Sequence, residues 1–65
     1  MNDSNWVTVG EIYRSLIIGQ DLAYTEIVDD LGTSITVRRY NALGKLLWKH
    51  TGSRSEILRT LGSKV

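Results

Sequence analysis

A chain of 65 residues with no cysteine and no proline is read as one small domain, without a disulfide framework or a thiolate metal site. The longest apolar run, Leu16 to Ile18, falls far short of the roughly 18 residues that span a bilayer, and the polar start Met1 to Asn5 carries Asp3. Neither a membrane span nor a secretory leader is expected, and the chain reads as cytoplasmic, with residues 1–5 disordered. The net charge of +1 conceals a segregation: residues 1–35 hold one cation against six carboxylates, and residues 36–65 hold seven cations against one. Such asymmetry points to nucleic-acid or membrane contact; the plainer alternative is two solvated faces that pair with each other, or head-to-tail association.

Glycines at 10, 19, 32, 44, 52 and 62 cut the chain into short segments. Thr8 and Glu11 form a capping box before Ile12, Tyr13, Leu16 and Ile17, which fall on one helical face, so a first helix is expected over Val9 to Ile18. Ala23, Ile27 and Leu31, with Tyr24 or Val28, give a second stripe and a second helix over Ala23 to Leu31, stopped by Gly32. Residues 34–50 admit two architectures. Either Ser34 caps a third helix reaching Leu43, with a strand starting at Lys45, or Ile35 to Tyr40 and Lys45 to His50 form a hairpin around Asn41-Ala42-Leu43-Gly44. Pairing Tyr40 with Lys45 would set Val37 opposite Trp48 and Arg39 opposite Leu46, leaving Thr36, Arg38, Tyr40, Lys45 and Lys49 on a basic, aromatic face. Ser53 and Glu56 form another capping box ahead of Ile57, Leu58 and Leu61, so a terminal helix is expected over Arg54 to Leu61.

The run from Glu26 to Arg39, with Leu31-Gly32-Thr33-Ser34 followed by Thr36-Val37-Arg38-Arg39, resembles the helix-turn-helix of bacterial and phage DNA-binding proteins. There glycine permits the tight turn, serine caps the second helix, and valine anchors it so that the arginines face out. Most of the chain resembles a minimal winged helix-turn-helix, and its hairpin version is similar to the small phage excisionases and to regulators of the MerR type. The resemblance implies an α+β domain with two N-terminal helices, a third helix or hairpin wing at 34–50, and a C-terminal helix. In the excisionase-like layout the second helix takes the recognition role while carrying Glu26, Asp29 and Asp30, which leaves the hairpin and the last helix to make the contacts.

The candidate DNA-binding residues are therefore Arg38, Arg39, Tyr40, Asn41, Lys45, Lys49, Arg54 and Arg59. The arginine pair reaches a groove or its phosphates, or is simply solvated. Tyr40 and Asn41 contact bases or backbone, or else pack at the core edge and form the turn. Trp6 and Trp48 read as core, because a chain without phenylalanine needs its large side chains inside. His50 is the lone histidine with no carboxylate near it in sequence, so no catalytic, metal or cofactor arrangement is expected. The leading expectation is a duplex-DNA-binding regulator or recombination accessory factor acting as a dimer or cooperative array. The alternatives are a protein-interaction module docking through its acidic N-terminal half, and an RNA-binding module that stacks single strands on aromatics.

Overall fold

The structure, a computed structural model, describes residues 7–17 and 21–65; the sequence expectations for Met1 to Asn5, Trp6 and Gly19 lie outside them. The chain order is β1 (Ile12–Ser15), β2 (Tyr24–Asp30), β3 (Ser34–Tyr40), β4 (Leu46–Ser53), α1 (Arg54–Arg59) and β5 (Leu61–Lys64). All pairings are antiparallel, and the sheet order is β4-β3-β2-β1-β5. Four strands thus form a meander, and α1 carries the chain from one edge of the sheet to the other. No helix among the described residues is long and apolar enough to cross a membrane.

This corrects the expected winged helix-turn-helix, and with it the excisionase-like and MerR-like layouts. The helix expected over Val9 to Ile18 is not formed in its described part, residues 9–17: Thr8 O accepts from Glu11 N at 3.0 Å across a turn in which Gly10 has φ of +93°, and β1 follows. Ala23 to Leu31 is not a helix either: residues 24–30 form β2, in which Thr25, Ile27 and Val28 are β-branched, and it pairs with β3, where Ile35, Thr36 and Val37 are too, Ile27 lying opposite Val37. The Leu-Gly-Thr-Ser run is the turn of this hairpin, with Leu31 N donating to Ser34 O at 2.9 Å and Gly32 at φ +91°. Ser34, expected to cap a recognition helix, opens β3 instead.

The alternative hairpin reading of residues 34–50 matches the observed chain path. Its register differs: Arg39 lies opposite Trp48 and Arg38 opposite Lys49, and a bulge at Leu47 brings Tyr40 opposite Leu46. Away from the bulge the slip is two residues, which leaves every side chain on its expected face because strand side chains alternate with period two. Asn41 builds the turn, its Oδ1 accepting from Leu43 N and Lys45 N, both at 2.9 Å. The terminal helix forms as well, with Ser53 as N-cap accepting from Glu56 N at 3.3 Å, and it ends at Arg59.

The inner face of the sheet and α1 enclose a small core of Ile27, Ile35, Val37 and Ile57, against which Val7, Tyr13, Leu58 and Leu61 pack. The sheet curls around it: β3, separated from β5 by β2 and β1, still reaches Thr60 just before β5 through Arg39. Trp48 shares the inner side with Arg39 but stands at the open edge, 38% exposed, so it is a rim residue rather than the core residue its size suggests.

Candidate nucleic-acid interface

Alternation places one set of β2 and β3 side chains inside and the other on the opposite, outer face. Cross-strand partners there form two rows. Arg14 of β1, Tyr24 of β2, Tyr40 of β3 and Leu46 of β4 make one; Ile12, Glu26, Arg38 and Lys49 make the next. Ile12, Tyr24, Glu26, Tyr40, Gly44 and Val65 line an open groove of about 410 Å³. Gly44 enters the rim because the β3–β4 turn needs its φ of +83°, and Val65 is held there by its N donating to Ile12 O at 2.8 Å.

The floor of the groove is a fixed polar cluster. Tyr40 donates its hydroxyl to Glu26 Oε1 at 2.6 Å, and Arg38 Nη1 lies 3.5 Å from the same oxygen. The hydrogen bond to Glu26 holds the Tyr40 hydroxyl above its ordinary pKa, with burial and the Glu26 charge adding to it. Arg38 also stands directly opposite Lys49. Like charges opposite each other on a sheet repel, and an anion lying over the pair would relieve that.

The structure brings together only part of the expected site. Arg38, Tyr40 and Lys49 share the outer face, and Lys45 is exposed beside Gly44 at the groove's turn end. Asn41 is engaged in the turn. Arg54 lies at the far end of β3, its Nη1 bonded to Asp30 Oδ1 at 2.7 Å and to Gly32 O at 3.1 Å, where it clamps α1 to the β2–β3 turn. The Gly32 amide, first, and then Arg54 hold the Asp30 carboxyl below its ordinary pKa. Arg59 is exposed in the last turn of α1. The charge segregation of the sequence is thus partly cancelled by pairing: Glu26 faces Arg38 and Asp30 meets Arg54, so acidic and basic halves do not form separate surfaces. Sequence reasoning missed Ile12, Arg14, Tyr24, Glu26 and Val65, which the strand pairings of β1 and β2 and the last residue bring in.

Arg39 is the largest departure. It is 2% exposed and points into the core side. Its Nη1 donates to Thr25 Oγ1 at 2.7 Å and Thr60 Oγ1 at 3.0 Å, and its Nε to His50 Nε2 at 3.2 Å. Thr60 Oγ1 in turn donates to Ile57 O at 2.6 Å, so the guanidinium sits against the C-terminal end of α1, where carbonyls carry partial negative charge. Burial lowers its pKa from the ordinary value.

The Arg39–His50 contact requires an unprotonated His50 Nε2. Burial, and then the Arg39 charge, lower the His50 pKa below its ordinary value of 6.5. The unfolded chain therefore takes up this proton first as pH falls, so the contribution to stability is full above about 6.5 and is lost as pH drops through the folded value. The expected result is a thermal midpoint that falls between pH 7.5 and 5 in the wild type and is flatter in His50→Gln, whose amide oxygen accepts from Arg39 without titrating; equal slopes would refute the linkage. Asp30 acts in a separate window, below its ordinary 3.8.

Among the described residues no group of three or more His, Asp or Glu is placed to hold a metal ion. Comparison with family models, with curated proteins and with solved structures gives no match.

Proposed function

We propose that the chain is a small nucleic-acid-binding module that takes a single strand across the outer face of its sheet. The observation that carries this reading is the direct cross-strand pair Tyr24 and Tyr40 on an open face, with Arg14 beside Tyr24, and with Arg38 and Lys49 in the next row. Neighbouring tyrosines give two base-sized stacking surfaces, and the cations lie where a backbone crossing the strands would pass. A curled face of this kind fits splayed bases, and among the described residues the helix α1, whose Ile57 packs into the core on the inner side, is not on this face to enter a major groove. The binding residues on this reading are Arg14, Tyr24, Arg38, Tyr40 and Lys49, with Lys45 at the rim.

The test is fluorescence anisotropy with labelled single strands of RNA and DNA against a duplex of the same length, over a salt series. Single strands should bind tighter than duplex, and three phosphates held by Arg14, Arg38 and Lys49 should give a log–log salt slope of about −2. Equal or tighter duplex binding, or no binding at low salt, overturns the reading.

A further inference from the structure

One carboxylate sits among the cations of the outer face, and a site built only to hold a polyanion has no use for it. Glu26 lies in the groove between the Tyr24–Tyr40 pair and Arg38, half-buried. Its Oε1 accepts from Tyr40 and faces Arg38, while Oε2 has no hydrogen-bond partner among the described residues. A carboxylate offers about four lone-pair sites, two on each oxygen, so both sites of Oε2 are open, and Oε1 frees one when the incoming base displaces the long 3.5 Å Arg38 contact, while the Tyr40 bond fixes their direction.

From this we infer that the groove is a guanine-selective base pocket, a reading that rests on the single-strand function proposed above. Guanine alone presents two adjacent donors on its Watson–Crick edge, the N1–H and the exocyclic N2 amino group, and these match the two oxygens of one carboxylate. Adenine and cytosine present one amino donor beside an acceptor ring nitrogen, whose lone pair would face a carboxylate oxygen. Uracil and thymine flank their single N–H with two carbonyls. The groove's volume of about 410 Å³ is room for a purine, and Ile12, Tyr24, Tyr40 and Val65 supply apolar and aromatic walls for its faces. Arg38 and Lys49 then stand beyond Glu26 in its own cross-strand row, where they hold phosphates and offset the cost of bringing a carboxylate close to the strand.

The experiment uses short labelled uracil-rich strands carrying one central guanine, inosine, adenine, cytosine or uracil. The guanine strand should bind about 10-fold tighter than the uracil strand, as a bidentate base contact does. Inosine, which lacks the N2 amino group, should fall most of the way to uracil. In Glu26→Gln the guanine preference should vanish while affinity for the all-uracil strand holds or rises, because a negative charge has left the face. Equal affinity for all five strands, or a preference that survives Glu26→Gln, overturns the guanine pocket and leaves single-strand binding standing. Should Glu26→Gln fail to fold, the inosine strand still decides the matter on the wild-type chain. Absence of binding to every strand overturns the underlying reading instead. Tighter capture of a lysine-rich peptide than of any oligonucleotide overturns both, since the tyrosines and Glu26 would then be serving a cation.

Discussion

Replacing Arg39 with alanine is expected to remove about 3 kcal/mol or more of stability, as truncating a large buried side chain and stranding its hydrogen-bond partners does. Thr25 Oγ1 and His50 Nε2 lose their donor, Thr60 loses one of its two partners, and a void opens beside Ile57. A chain of this length has roughly 3–10 kcal/mol in total, so the variant stands at the edge of unfolding at room temperature. The neighbouring Arg38→Ala removes only a partly exposed ion pair with Glu26 and should change stability by about 1 kcal/mol at most. Urea denaturation separates the two: adjacent arginines, one midpoint collapsing and one nearly fixed. Arg39→Met tests the cause, because it keeps much of the volume and removes a buried charge; it should recover part of the loss. Equal midpoints for Arg38→Ala and Arg39→Ala would show that Arg39 is not an interior residue.

Removing either tyrosine ring should weaken single-strand binding about 5- to 150-fold, the range of 1–3 kcal/mol found for base–aromatic stacking. Tyr24→Ala and Tyr40→Ala both leave the inner-face core residues in place, and circular dichroism checks that the sheet persists. Tyr40→Phe keeps the ring but drops the bond to Glu26, so it should retain most of the affinity of Tyr40 for an all-uracil strand. If the alanine variants bind as the wild type does, the outer face is not where the strand lies, and the exposed cations Arg59 and Lys64 become the next place to look.

What could be read from the residues divides by range. The Ser53 cap and the short helix after it were legible because a cap is made within one turn of chain. The β3–β4 hairpin was legible as one of two alternatives, since Asn41 and Gly44 mark its turn and the face pattern survives a two-residue slip in register. β2 was hidden by its own bulge: the extra residue at Val28 breaks the alternation set by Thr25 and Ile27, and Ala23, Ile27 and Leu31 then mimic a helical stripe. In β3, Ile35, Val37 and Arg39 all point inward, and a charged residue in the third place disguises the period of two. The groove was illegible for a different reason. Ile12, Tyr24, Tyr40, Glu26 and Val65 meet only once strands far apart in sequence are paired, and the acidic character of the first half directed attention away from it.

The same pairing governs how the molecule comes into being. β1 has β2 on one side and β5 on the other, and the β1–β5 contact joins positions about 50 residues apart. Until that loop closes, β1 is a short outermost strand whose β5-facing backbone is unpaired, beside Ile12 and Leu16, which are exposed even in the finished fold. Closure of distant partners is the slow step in small all-β chains, placing folding in the milliseconds-to-seconds regime. During synthesis β5 leaves the ribosome after β1 to β4. For that interval the nascent chain carries an unprotected strand edge next to exposed apolar side chains, a window in which it is most open to pairing with a neighbour rather than with itself.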